Sequence, residues 1–414
     1  MLDRREFLLT TAAVAASRWP LAADLEPSAS QSPIPASVRA DFPRATAGAY
    51  LNAAARHPLG VHVVKGMHRH LDYLVYGPGE GRTSFGTTDQ LDLKTRYGKL
   101  INATPDEIAF VQSTSDGENI VVSGLDLAAK GGNVVVDDLH FVTSLYMYKT
   151  LEAKGVELRV VKQRDGKPDL ADYDRAIDRN TRLVSMALVS NVNGYRADAA
   201  GVARIAHDRG AHVYADIIQA VGAVPLDLKA LGIDFAAAST YKWLMAEMGF
   251  GLLYVRADLQ GTVLPTTRYG HRQVRGFDRE AITWAARRGA LRNGQHRRAA
   301  RRGDAHVAAV HREARPAEHR RARAAPDEPH QGRVVGPDPL PRAELPERGY
   351  RSLTPAGVKT PIAAFDLPDV DRATTRLRQA NVTVTIVPPE RRMRVSVSVF
   401  NNDEDVDRLV RALD

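Results

Sequence analysis

Two side chains of opposite charge lie in surroundings that suit chemistry. Asp216 ends the short apolar run AHVYAD, and Lys242 lies in the segment STYKW between two aromatic residues. A buried carboxylate needs a partner, and an apolar environment lowers the pKa of a lysine amine, which makes it a better nucleophile. Each residue also has an ordinary reading, because a lone lysine is usually a solvated surface group and a strand-end aspartate is often a helix cap.

Two further features supply groups for a ligand near this pair. Gln219 follows Asp216 in VYADIIQAVG and can hydrogen-bond a phenolic oxygen. The segment QSTSDGEN (112–119) places hydroxyls where a helix begins, and a helix N-terminus binds phosphate through its amides and dipole. That segment alone is more often an ordinary N-cap. A phosphate, a ring nitrogen, a phenolate and an aldehyde together describe pyridoxal phosphate, which is therefore the predicted cofactor.

Alternating strand and helix patterns must position these residues. Helical stretches such as DAAGVARIAHDRG, which ends on Gly210, separate the apolar runs. This alternation predicts an α/β fold with a mainly parallel sheet, whose ligands bind at the carboxyl ends of the strands. Because Asp216, Asn191 and STSDG all follow strand-like runs, we expect them to converge there. The strand-like runs are EIAFVQ, NVVVDD, ELRVVK, TRLVSMALVS, AHVYADI, FAAAST and GFGLLYV.

Composition narrows the class of protein. The chain has 414 residues, a hydrophobic fraction of 44% and a formal net charge of +8, which suits a globular protein of two or three domains. It contains no cysteine, and this excludes disulfides, thiolate metal sites and a cysteine nucleophile. No metal site is predicted. No long uninterrupted apolar run indicates a membrane span.

The N-terminal segment MLDRREFLLTTAAVAASRWPLAAD has the layout of an export signal. Arg4 and Arg5 precede an apolar, alanine-rich run with small residues near 21–23, and this pattern resembles a twin-arginine signal. Residues 1–35 are therefore interpreted as signal and linker, and the protein is expected to be exported to the periplasm. The alternative reading is an amphipathic N-terminal helix.

The order of the motifs resembles that of the class V aminotransferases, which are fold-type I pyridoxal-phosphate enzymes. The isopenicillin-N-epimerase-like and cysteine-desulfurase-like branch is the most similar, from AYLNAAARHP (49–58) to the end of the chain, with one gap. The resemblance implies an aspartate-aminotransferase-like large domain over 36–288 and a small C-terminal α/β domain over 346–414. It also implies a homodimer acting on a small amino acid. No nucleic-acid partner is expected, because the basic run of the chain lacks aromatic residues on which bases could stack.

The resemblance implies roles for individual residues. Lys242 bonds covalently to the cofactor, and Asp216 contacts its ring nitrogen. Arg394, in RRMRVSVSVFNNDEDVDRLVRAL, pairs with the substrate carboxylate, although by itself it reads as a surface charge on a strand. The remaining assignments are Thr114 and Ser115 at the phosphate, Phe141 (or His140, if the match shifts by one) stacked on the ring, Asn191 and Gln219 at the phenolic oxygen, Ser239 and Tyr241 at the cofactor, and Asn52 at the substrate.

Transamination, epimerisation and elimination of a side-chain group all remain open. Persulfide-forming desulfuration is excluded, because it needs a cysteine nucleophile. The family often has histidine where this chain has Tyr241, so that this chain departs from the family at a phosphate contact.

Residues 289–345 depart from the pattern. They contain 12 Arg against 7 Asp plus Glu, and no Lys, Phe, Tyr, Trp, Ile or Met. This composition is expected to give loops or short helices with few core contacts. A nucleic-acid-binding arm is one reading, a solvated insertion is another, and a frameshift that is later restored is a third. Under the third reading, the codons for 290–297 read one base later permit an Arg-aromatic-Glu motif, which is typical of the family. The alternative function is then a non-catalytic or assembly-defective product of a frameshifted aminotransferase-like gene.

Overall fold

The computed structural model describes residues 36–266, 274–275, 283–284 and 340–414. The predicted signal and linker over 1–35 and nearly all of the segment 289–345 lie outside the described residues. Within them, no helix is both long and apolar enough to span a membrane.

The helices and strands alternate through most of the described chain. The helices are α1 (Ala36–Ala40), α2 (Pro43–Thr46), α3 (Val61–Tyr76), α4 (Thr87–Ile101), α5 (Thr114–Leu125), α6 (Leu127–Lys130), α7 (Val142–Glu152), α8 (Leu170–Ala176), α9 (Ala199–Asp208), α10 (Glu344–Glu347), α11 (Val370–Gln379) and α12 (Asp403–Leu413). The strands are β1 (Ala49–Tyr50), β2 (Ile108–Val111), β3 (Asn133–Asp137), β4 (Glu157–Val161), β5 (Thr181–Ala187), β6 (His212–Asp216), β7 (Phe235–Ser239), β8 (Gly251–Val255), β9 (Val274–Arg275), β10 (Thr283–Trp284), β11 (Ile362–Asp366), β12 (Val382–Thr383), β13 (Thr385–Val387) and β14 (Arg392–Ser396).

Seven of the strands form one sheet in the order β2-β8-β7-β6-β5-β3-β4. The pairs from β4 to β7 are parallel, as the alternating pattern predicts. Strand β8 runs antiparallel to both β7 and β2. The reason is local: residues 240–250 connect β7 to β8 without a crossover helix, so the chain must return in the opposite direction.

Apolar side chains cover both faces of this sheet. Along β6, Val213 and Ala215 belong to the hydrophobic cluster on one face, and Tyr214 belongs to the cluster on the other. Strands that are buried on both faces have near-continuous apolar sequences, because helices pack against each side. The strands can therefore hold their polar terminal residues in fixed positions at the carboxyl edge.

The C-terminal residues form a smaller three-stranded antiparallel sheet in the order β11-β14-β13. Strand β1 pairs in parallel with β12, and Ala49 in β1 and Leu51 directly after it belong to the apolar core of this smaller sheet. Leu340 and Leu345 are also buried in this core. At the C-terminal end of 289–345, PLPRAEL supplies these two aliphatic side chains, and the rest of the segment, for which few core contacts are expected, lies outside the described residues.

Candidate active site

Lys242 and Asp216 lie at the same edge of the large sheet. Asp216 is the last residue of β6, and Lys242 follows the end of β7, the strand that pairs in parallel with β6. Both are buried, with exposed fractions of 4% for Asp216 and 8% for Lys242. Asp216 Oδ1 accepts a hydrogen bond of 2.9 Å from the amide of Ile218, and Lys242 Nζ lies 5.7 Å from the ring centroid of Tyr241.

Burial changes the protonation of this pair. Desolvation lowers the pKa of Lys242 to about 8, and Arg394 acts in the same direction while Asp216 opposes the change. Desolvation also raises the pKa of Asp216, which His140 and Lys242 oppose. At neutral to mildly alkaline pH a substantial share of Lys242 is therefore the free amine, the form that can act as a nucleophile or a base.

Two reciprocal hydrogen bonds join the start of α5 to the end of β7. The amide of Thr114 donates to Ser239 Oγ at 2.8 Å, and the amide of Ser239 donates to Thr114 Oγ1 at 2.9 Å. The two hydroxyl oxygens lie 3.1 Å apart, so that one hydroxyl hydrogen serves their mutual bond and the other remains available. The N-cap itself is Ser113, whose hydroxyl accepts from the amide of Asp116. Ser115 follows on the first turn and is partly exposed.

Gln219 is fixed from both ends of its amide. Its Nε2 donates to the carbonyl of Ala54 at 2.9 Å, and its Oε1 accepts from Trp243 Nε1 at 2.8 Å. One N–H of the amide is not used by these contacts. The role of Trp243, which directly follows Lys242, was not predicted from the sequence.

Arg394 reaches this edge from the small sheet. It donates from Nη1 to the carbonyl of Asn191 at 2.8 Å and from Nη2 to Thr385 Oγ1 at 3.0 Å. Thr385 in turn donates to Asn52 Oδ1 at 2.6 Å. Arg394 Nε is buried and has no hydrogen-bond partner within the described chain. Desolvation, with the nearby charge of Arg392, lowers the pKa of Arg394 to about 10.

The two rings that follow β3 have different environments. Phe141 is the N-cap of α7 and is partly exposed. His140 is 2% exposed and interacts electrostatically with Asp216. The structure therefore brings His140, the one-residue alternative to Phe141, to the carboxylate. A turn in which the amide of Leu139 donates to Asp137 Oδ1 precedes His140.

These groups define a class before any relative is considered. A buried lysine, a buried carboxylate and a helix N-terminus meet at the carboxyl edge of a mainly parallel sheet, with an arginine from a second sheet. This combination is that of a pyridoxal-phosphate-dependent α/β protein. The family model described as "Aminotransferase class-V" matches residues 84–300. The chain belongs to the class V aminotransferase family.

Known proteins are similar over different shares of the chain. A probable cysteine desulfurase of Methanothermobacter thermautotrophicus is 34% identical over 232 residues, which cover 55% of this chain and 58% of that protein. The fold resembles a cysteine desulfurase structure from Thermococcus onnurineus, with a TM-score of 0.73, 22% identity and coverage of 93% and 98% of the two chains. It also resembles a C-DES mutant with glycine covalently linked to its pyridoxal-phosphate cofactor, with a TM-score of 0.69, 18% identity and coverage of 91% and 98%.

Pyridoxal phosphate is the cofactor of this family, and the residues at the edge of the sheet fit it. Asp216 offers a buried carboxylate for a protonated ring nitrogen, and Lys242 offers an amine of lowered pKa for the aldehyde. Thr114 and Ser239 offer a hydroxyl hydrogen at a helix N-terminus for the phosphate. The unpartnered Nε of Arg394 can still donate to an anion in the same region. Within the described ranges, no group of three or more His, Cys, Asp or Glu side chains has a metal-binding arrangement.

Proposed function

We propose that this protein is a pyridoxal-phosphate-dependent enzyme that acts on a small amino acid. The observation that carries the proposal is Lys242: a lysine, buried beside a buried aspartate and an arginine, whose pKa falls to about 8. A structural lysine gains nothing from such a position, because burial penalises its charged form. A lysine that must lose its proton to react is favoured by it.

Each residue has a physical task in this proposal. Bound cofactor supplies the electron-withdrawing ring that stabilises negative charge at the α-carbon of the substrate. Asp216 holds a proton on the ring nitrogen through its charge. Arg394 binds the α-carboxylate, for which a planar guanidinium is suited. The free amine of Lys242 takes the α-proton and returns it.

The outcome of the reaction depends on where the α-proton goes. Delivery of the proton by Lys242 to an atom other than the α-carbon would allow transamination, and delivery of a proton to the opposite face of the α-carbon would give epimerisation. Loss of a side-chain group gives elimination. The chain has no cysteine, so that sulfur cannot be transferred to a thiolate of this protein. Chiral amino-acid analysis with and without a keto acid distinguishes the three outcomes.

Covalent attachment at Lys242 is the direct test. Sodium borohydride should fix pyridoxal phosphate on one lysine, and peptide mapping should find it in the peptide that contains Lys242. A label on any other lysine contradicts the assignment. Purified protein that takes up no cofactor at all favours the alternative of an assembly-defective gene product.

We also propose that the enzyme is a homodimer. Helix α3 has no buried residue, as far as the described residues show, although it carries a row of apolar side chains. Such a face is typical of a protein interface. The exposed apolar residues of α3 are Val64, Met67, Leu71, Leu74, Val75 and Tyr76. Sedimentation should give twice the monomer mass, and Leu71→Asp with Leu74→Asp should give monomers, whereas a monomeric parent protein refutes the proposal.

We infer that the protein is exported to the periplasm. The support is the sequence around Arg4 and Arg5. Fusion of residues 1–35 to a folded reporter should send it to the periplasm, and replacement of both arginines by lysine should retain it in the cytoplasm. A reporter that stays in the cytoplasm in both forms contradicts the inference.

A further inference from the structure

A buried polar cluster connects α5, α7 and β5. Glu118 on α5 is 1% exposed and accepts three hydrogen bonds. The donors are Ser144 Oγ at 2.5 Å and Tyr148 OH at 3.0 Å, both on α7, and Ser185 Oγ at 3.2 Å on β5. The proposed reaction uses none of these four residues. The three donors to Glu118 are hydroxyl groups and none is a cation, so an ion pair with one of them does not explain why this carboxylate is buried.

His140 extends this cluster in one direction. Its Nδ1 accepts a hydrogen bond of 2.7 Å from the amide of Phe141 and therefore carries no proton. The ring proton is consequently on Nε2, which lies 2.9 Å from Ser185 Oγ and 3.6 Å from Glu118 Oε1. The His140 Nε2–H donates to Ser185, and the Ser185 hydroxyl donates to Glu118. This chain of hydrogen bonds from His140 through Ser185 to Glu118, here called the relay, uses each donor once.

The relay favours a neutral imidazole. A protonated His140 would direct an Nδ1–H at the amide N–H of Phe141, and two donors cannot share that contact. Burial lowers the pKa of His140, although Asp216 and Asp137 oppose the change. The titratable groups around the relay are Glu118 on α5, Asp137 on β3, Tyr148 on α7, Tyr214 and Asp216 on β6, and Lys242 beyond Asp216.

We propose that Glu118 and Ser185 are positioning residues that hold His140 as its neutral Nε2–H tautomer beside Asp216. A neutral imidazole leaves the charge of Asp216 to act on a bound ring nitrogen, whereas an imidazolium would neutralise it. The consequence for Asp216 rests on the proposed function, but the tautomer of His140 does not. Glu118 acts at a distance through Ser185.

Two serines provide a matched pair of variants. Ser185 and Ser144 are both buried and both donate to Glu118, but only Ser185 contacts His140. Ser185→Ala removes the acceptor of the Nε2–H and breaks the relay. Ser144→Ala removes one donor to Glu118 and keeps the relay. Ser185→Thr keeps the hydroxyl and should restore whatever Ser185→Ala changes.

The first measurement needs no cofactor. Protein labelled with ¹⁵N-histidine is examined by NMR, and the signal of His140 is identified by its loss in His140→Gln. Wild type, Ser144→Ala and Ser185→Thr should show an unprotonated Nδ1 and a protonated Nε2, whereas Ser185→Ala, which keeps only the contact with the Phe141 amide, should show a measurable share of the other tautomer. A wild-type Nδ1 that carries the proton overturns the proposal, and so does an equal change in Ser144→Ala and Ser185→Ala.

The second measurement uses the protein loaded with pyridoxal phosphate. In Ser185→Ala the midpoint of the pH titration of the cofactor absorbance should move by up to about one pH unit, because the ring dipole of His140 beside Asp216 is reoriented in the other tautomer. In Ser144→Ala it should stay in place, and equal movement in both variants contradicts a relay. Wild-type protein that binds no cofactor refutes the proposed function alone, and the NMR comparison then decides about the relay.

Discussion

Two buried aspartates lie at opposite ends of neighbouring strands in the seven-stranded sheet. Asp234 lies where the parallel strands begin (the amino edge), and Asp216 lies where they end (the carboxyl edge). The environments of the two carboxylates differ. Asp234, at the amino end of β7, accepts from the amide of Val213 at 2.8 Å and from His207 Nε2 at 3.0 Å, and it pairs with Arg256. Burial alone would raise the pKa of Asp234, but these hydrogen bonds outweigh it and hold the pKa well below its ordinary value. Asp216, at the carboxyl edge, has a raised pKa.

The opposite pKa shifts distinguish the structural ion pair of Asp234 from the candidate active site around Asp216. At the amino edge, the buried charge of Asp234 is compensated by His207, Arg256 and the amide of Val213, so that these contacts stabilise the fold. At the carboxyl edge, Asp216, Lys242 and Arg394 all have pKa values moved toward their neutral forms. Groups that are destabilised in this way are typical of functional sites, because a bound ligand supplies the missing compensation.

The largest difference between the two edges of the sheet should come from replacing one lysine at each, Lys242 at the carboxyl edge and Lys229 at the amino edge. Lys242→Met should lower turnover by about 10⁴-fold through loss of the base and raise the free energy of unfolding of the cofactor-free protein by about 3 kcal/mol at pH 7. The gain arises because the pKa of Lys242 falls from 10.5 to about 8 on folding. Unfolded chains therefore bind this proton more tightly, and the cost to the fold develops between pH 10.5 and 8 and persists below.

The matched control is Lys229, at the amino edge, whose Nζ lies 3.1 Å from the buried Glu107. Lys229→Met should leave turnover unchanged and lower the free energy of unfolding by about 1 kcal/mol. Chemical denaturation and steady-state kinetics measure both effects. A stabilised Lys229→Met or a destabilised Lys242→Met would break the contrast between the two edges.

The two aspartates should respond in opposite ways to removal of charge. Asp216→Asn should lower turnover by about 10³-fold, because a preorganised charge is lost, and change the free energy of unfolding by less than about 1 kcal/mol. Asp234→Asn should leave turnover unchanged and lower the free energy of unfolding by about 3 kcal/mol, because Arg256 and His207 lose their partner. Equal destabilisation of the two variants would show that both aspartates are structural.

The sequence predicts the fold class and the edge at which the site lies. Polar residues that follow strands of a parallel sheet must emerge at one edge, and for this reason Asp216, Lys242 and Thr114 are found together. The reversed direction of β8 is readable only from the short connection at 240–250. Pairing of β1 with β12 joins distant parts of the chain, and no local pattern indicates such a contact.

Other features could not be read because their partners are distant in sequence. A glutamate in the first turns of a helix is usually solvated, so that Glu118 gives no signal of its buried contacts with Ser144 and Ser185. The choice between His140 and Phe141 depends on the turn at Asp137, which directs His140 inward. The motif match alone leaves both rings possible.

Replacement of two arginines on β14, Arg394 and Arg392, should give a smaller difference in activity. Arg394→Lys should raise KM for the amino acid by roughly 30-fold with little change in cofactor binding, because a charged hydrogen bond contributes about 2 kcal/mol. Arg392 lies on the same strand but already pairs with Glu390, so Arg392→Lys should change KM by less than about threefold. KM effects of similar size in both variants would remove the assignment of the carboxylate to Arg394.

The smallest effect concerns His207 at the amino edge. Its hydrogen bond with Asp234 raises the pKa of His207 above 6.5, so that its contribution to stability is complete below pH 6.5 and is lost as the pH rises through the folded-state value. His207→Gln should therefore lower the melting temperature more at pH 6 than at pH 8. Because the side chain is 36% exposed, solvent screens the pair and the loss at pH 6 should stay below about 1 kcal/mol. An equal decrease for His207→Gln at pH 6 and pH 8 would mean that the charged pair of His207 with Asp234 adds no stability to that given by Arg256, His212 and the Val213 amide.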